Sequence, residues 1–205
     1  MIDSYDKLTI GKYNEVKAIV ESGMNEYDAK LELVAVLADM EVEDVADLNI
    51  STFNRLLQCT SFLMQEPKER MVATCYKLGQ YELDVLMDLT KMTVAQYIDY
   101  QTYLEDVDKN LVQMISVFLV PKGKTYGDGY DMLDLQRVIE GNMSIVDALS
   151  LSAFFLELSQ ALTKGTLICL KRKLKRMSWM TRDRQEKERL KEAIANLETV
   201  GNGLP

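Results

Sequence analysis

The sequence predicts a mainly α-helical protein: a multi-helix domain with one β-hairpin, at about residues 71–88, between two helical halves, and then a long basic C-terminal helix. Three observations carry that expectation. Only three prolines occur in 205 residues, Pro67, Pro121 and Pro205, so long tracts lack the residue that removes a helix donor and clashes with the preceding turn. A helix-start pattern recurs at four places. One stretch, "MVATCYKLGQYELDVL", changes instead to two short β-prone runs on either side of a glycine.

The recurring pattern is clearest in "LTIGKYNEV", "LNISTFNRL" and "MTVAQYIDY". In each, an apolar residue (Leu8, Leu48, Met92) precedes a small polar one (Thr9, Asn49, Thr93), and an aromatic (Tyr13, Phe53, Tyr97) follows four positions later. The polar side chain suits the orphan amides of a first helical turn, and the apolar residue is spaced to pack on the aromatic as a hydrophobic staple. Gln96 completes a capping box with Thr93, and a weaker fourth copy starts at Met143 with Ser144 as cap and Asp147 in the first turn. The recurrence of Leu8 at Met92 hints at two related halves, but the residues between do not align. Helix starts share this chemistry without common descent.

Helices are therefore expected over 9 to about 22, from Asn25 along the stripe Leu31, Val34, Leu37 and Ala38, briefly in "EVEDVADL", and from Asn49 to near Pro67, burying Phe53, Leu56, Leu57, Phe62 and Leu63. Strands turning at Gly79 follow. The second half is read as helices over 93 to about 105, through "KNLVQMISVFLV", over about 131–140, from 144 to about 178 and from 181 to about 197, with "PKGKTYGDGYD" as a loop. The domain division expected is an acidic, mainly helical domain at 1–163 (halves 1–67 and 91–163 around a hairpin at 68–90) and a basic helical extension at 164–205.

Apolar residues at 47% and charged residues at 27% give the balance of a folding chain rather than a disordered one. Cys59, Cys75 and Cys169 are far apart, odd in number and set among apolar neighbours, so they are expected as buried thiols in a reducing compartment. The opening "MIDSYDKLT" has neither a basic nor an apolar leader region. Asp147, Glu157 and Lys164 interrupt the longest apolar tract, which argues against a membrane span. A cytoplasmic location is expected.

No catalytic, cofactor-binding or metal-binding residues are expected. The chain has no histidine, which the usual serine and cysteine nucleophiles need as base, and no phosphate-cradling glycine motif. The acidic runs "EVEDVAD" and "YLEDVD" fall where exposed helix ends are expected, and "GDGYD" lacks the alternating ligands of a calcium loop.

Charge distribution says more. Residues 1–163 hold 13 Lys and Arg against 27 Asp and Glu, and residues 164–205 hold 11 against 5. From Lys164 through Lys171, Arg172, Lys173, Lys175 and Arg176 there is no acidic residue, and Leu167, Leu170, Leu174 and Met177 make an apolar stripe at helical spacing. Such a helix suits nucleic-acid phosphates, an anionic membrane surface or an acidic protein surface, including that of a neighbouring copy; the alternative is a solvated face with no partner. The stripe favours protein. Trp179, the only tryptophan, either fills a core edge or anchors an interface.

"LTIGKYNEV", "YKLGQYELD" with "MTVAQYIDY", "FLVPKGKTYGDGY" and "SIVDALSLSAFF", in that order, resemble a family of mostly helical proteins encoded among the structural genes of tailed bacteriophages, notably crAss-like phages. The resemblance covers roughly residues 5–165. It implies a non-enzymatic virion protein, a portal, neck or tail ring subunit or a protein carried in the particle, with other phage structural proteins and further copies of itself as partners. The alternatives are a tail assembly chaperone in the host cytoplasm, and a protein that contacts DNA through the basic helix.

Overall fold

The computed structural model describes residues 1–180 and, beyond them, 188–189, 191–192 and 194–195; the side chains of 161–168, 171 and 177–180 lie outside that description. The protein is mainly helical with a small antiparallel sheet. Two compact units divide the chain, Met1–Ser152 and Ala153–Pro205, and the change of charge at Lys164 falls within the second.

In the first unit the capping chemistry places the helices. Helix α1 (Ile10–Glu21) opens where Thr9 Oγ1 accepts the Lys12 amide, and α2 (Glu26–Ala38) where Asn25 accepts those of Tyr27 and Asp28. After the short α3 (Val42–Ala46), Asn49 caps α4 (Ile50–Cys59), which tightens into a 3-10 turn at Thr60–Met64. Val34, Ala35, Val45 and Phe53 form one buried cluster. Leu56, Leu57, Phe62 and Leu63, expected to be buried, are only partly so.

The hairpin lies where the sequence puts it. Strands β1 (Cys75–Leu78) and β2 (Tyr81–Val85) pair antiparallel, with Leu78 opposite Tyr81. Gly79 at the first turn position has φ of 52°, open to glycine and strained for other residues. A third strand was not expected. Helix α5 (Val94–Tyr103) is followed by α6 (Leu111–Phe118), but the chain does not continue helically through "FLV"; it straightens into β3 (Leu119–Pro121), which pairs with β2. Pro121 explains the change, since its ring disfavours a helical residue before it and its missing donor is tolerated on an edge strand.

Helix α7 (Met132–Asn142) starts at Asp131, whose side chain accepts two amides, and α8 (Ile145–Met180) starts at Ser144. The starts of α1 and α8 meet. Thr9 and Ser144 form an isolated antiparallel bridge in which the Ile10 amide donates to Met143 O at 3.1 Å and the Ile145 amide to Leu8 O at 2.7 Å. Leu8, Ile10, Met143 and Ile145 are buried there. Arg70 closes the join from outside, donating to Asp147, to Asp6 Oδ1 at 3.1 Å and to Ser144 Oγ at 3.3 Å. In the second unit α8 continues to Met180, with Phe154 and Phe155 in edge-on contact. The helix expected over 181 to about 197 falls largely outside the described residues.

Two further expectations are corrected. Tyr97, expected to pack inward on Met92, is 55% exposed, because Gln96 and Tyr100 occupy the buried side of α5. The cysteines are not core thiols: Cys59 is half-buried, and Cys75 and Cys169 are exposed.

Helix α2 ends on Asp39 at φ 55°, a left-handed conformation. Glycine there relieves about 1 kcal/mol of strain and surrenders roughly 0.5 kcal/mol of chain entropy. The ion pair to Lys12 adds little, since the Asp39 side chain is 89% exposed. Denaturant titration is expected to find Asp39→Gly more stable by roughly 0.5 kcal/mol and Asp39→Val less stable than the parent.

Candidate interaction surfaces

Three surfaces hold the residues with something to offer a partner. On α8, Arg172, Lys173, Lys175 and Arg176 are exposed, and none has an ion-pair partner among the described residues. Leu170 is 42% exposed and Leu174, one turn on, is half-buried. The backbones of Lys164, Lys171 and Trp179 belong to the same helix; their side chains lie outside the described ones.

The second surface is the outer side of α5, where Val94, Tyr97 and Ile98 are 76%, 55% and 57% exposed at helical spacing. The helix is held rigidly beneath them. Gln96 accepts the Thr93 amide at 2.9 Å and donates to Val117 O at 3.0 Å, so one buried amide both completes the capping box and ties α5 to α6. The loop after β3 docks on the same helix through Tyr126, whose hydroxyl donates to Asp99 Oδ2 at 2.8 Å. Burial, and then the neighbouring carboxylate, push the Tyr126 hydroxyl well above its ordinary range; burial raises Tyr130 and Tyr76 as well.

The third surface was missed by the sequence reading. Where α1 lies beside α2 and the start of α3, a groove of about 380 Å³ is lined by Ala35, Val36, Met40 and Val42 and by the charged Lys12, Glu15, Glu32, Asp39 and Glu41. Lys12 lies between two of these acids, 3.2 Å from Asp39 Oδ1 and 3.6 Å from Glu15 Oε2. No described cation pairs with Glu32 or Glu41. The signal was "EVEDVAD", read as a solvated helix end; its carboxylates are exposed, and what the sequence could not show was α1 beside them.

No family model, no curated protein and no solved structure matches this chain. Among the described residues no group of three or more Cys, Asp or Glu is placed to hold a metal ion, and no helix is long and apolar enough to cross a membrane. The three surfaces are thus a basic helix face, an apolar helix face and an acid-rimmed groove.

The raised tyrosines give a pH dependence of definite sign. A hydroxyl whose folded pKa lies above the unfolded value of 10.0 contributes stability that is complete below that value and is lost as pH rises through the folded one. Tyr126→Phe is expected to be less stable at neutral pH by about 1 kcal/mol, for the lost hydrogen bond to Asp99, with the gap narrowing as the pH passes the unfolded tyrosine value. Urea titrations of both proteins across the alkaline range read this; a constant gap would show that Tyr126 titrates alike in both states.

Proposed function

We propose that the protein is a non-enzymatic structural component of a tailed-phage virion, a portal, neck or tail ring subunit or a protein carried in the particle, acting through protein–protein contacts. The observation that carries this reading is the exposed basic face of α8, whose Arg172, Lys173, Lys175 and Arg176 have no ion-pair partner among the described residues, on a chain that is acidic as a whole, net −8. A chain bearing both signs on different surfaces favours copies that join head to tail, the heterologous geometry that closes into rings. The resemblance of "LTIGKYNEV" and the segments after it to phage structural proteins supplies the setting, a virion and, during assembly, the host cytoplasm.

The exposed apolar side of α5 favours a second reading, a tail assembly chaperone that covers an aggregation-prone partner and then leaves. Met64 and Met71, each 93% exposed, add adaptable apolar surface to that face of the argument. DNA is the third partner the cations of α8 would suit, and binding to it would weaken steeply with salt.

Mass spectrometry of purified virions separates the first two readings. A virion component is expected at a stoichiometry comparable with other structural proteins, whereas a chaperone would be found in infected cells and missing from particles. Salt-dependent DNA binding that disappears when Arg172, Lys173, Lys175 and Arg176 are neutralised would favour the third.

A further inference from the structure

We infer that the groove between α1 and the α2–α3 turn of one copy receives residues 170–176 of α8 from a second copy. This deepens the structural reading above and rests on it for its setting. The groove's lining includes the apolar Ala35, Val36, Met40 and Val42, and its charged members are four carboxylates against the single ammonium of Lys12. That ammonium pairs with Asp39 and Glu15, and no described cation pairs with Glu32 or Glu41.

The helix segment has the opposite character. Leu170 and Leu174 lie one turn apart on one side of α8, and Arg172, Lys175 and Arg176 form an exposed cationic surface on the opposite side, with Lys173 at its edge. Seven residues of helix rise about 10 Å, and long basic side chains can lie along apolar surface while their charged ends reach a polar rim. The cationic side of the helix would face the groove, its charged ends meeting the carboxylates and the stems of Arg172, Lys175 and Arg176 lying against the apolar lining. Arginine is suited to carboxylates in particular because its planar fork can engage both oxygens.

Charge complementarity identifies the occupant as another copy of this chain. Among the described residues the four cations are unpaired, and so are Glu32 and Glu41; every copy carries both a cationic helix and a carboxylate-lined groove. Each copy then offers one groove and one helix, so a contact leaves a free groove at one end and a free helix at the other, and the assembly extends or closes into a ring.

The test uses the full chain in analytical ultracentrifugation. The parent is expected to self-associate with concentration, less so as salt rises. A helix variant, Lys173→Glu with Arg176→Glu, and a groove variant, Glu32→Lys with Glu41→Lys, are each expected to associate more weakly by an order of magnitude or so. All four side chains are partly or fully exposed, and circular dichroism confirms that both variants fold. Mixing the two restores association, because the intact groove of one meets the intact helix of the other. A parent that stays monomeric, a groove variant that associates like the parent, or a mixture that fails to recover would each overturn the inference. A monomer present in virions would sink this contact and spare the structural role; an oligomer absent from virions would do the reverse.

Discussion

The first unit depends on the join between the starts of two helices far apart in sequence. A helix begins with amide donors that have no partner inside it, and burying such an end without partners is costly. Here the first amides of α1 and α8 donate across to each other's preceding strand-like residues, Ile10 to Met143 and Ile145 to Leu8. The caps Thr9 and Ser144, extended and paired, each serve the amide three residues on. Two orphan donors of each helix are thus satisfied in a place where Leu8, Ile10, Met143 and Ile145 can all be buried.

The rest of the first unit follows from that constraint. With its start fixed beside Met143, α1 lies along α7, the helix that ends there, and its other side remains for α2. Arg70 holds the connection between the first helices and the sheet against the same join, through Asp147, Asp6, Ser144 and, by its own amide, Ser150 Oγ at 3.0 Å. The sheet is in turn tied to α7 at its turn, where Gln80 and Tyr81 both donate to Asp134. What these elements leave outward is the surface available to partners: the groove beside α1 and the apolar side of α5.

Much of this was legible because it is local. Caps at Thr9, Asn25, Asn49, Thr93 and Ser144, the turn at Gly79 and the charge of Arg172 through Arg176 depend on residues within a few positions of one another. The choice of buried side on α5 is not local: spacing nominated Tyr97, but the carbonyl of Val117 and the ring of Phe118, 5.0 Å from that of Tyr100, decide for Gln96 and Tyr100. Strand β3 needed β2 as a partner, so "FLV" read alone looked helical. Cysteine neighbours were apolar in sequence, yet Cys75 stands on the outer strand with its side chain exposed. The groove needed α1 packed along α2 near the turn into α3, and neither segment carries a sign of the other.

Native-state hydrogen exchange at the Ile10 and Ile145 amides tests the join directly. Amides at the first position of a helix ordinarily exchange quickly, since nothing in the helix accepts them. If the two starts hold each other, both amides exchange only on global unfolding, as slowly as those of the core. Exchange as fast as that of the exposed first turn of α4, at Ser51, would show that the ends open independently and that the fold is organised elsewhere.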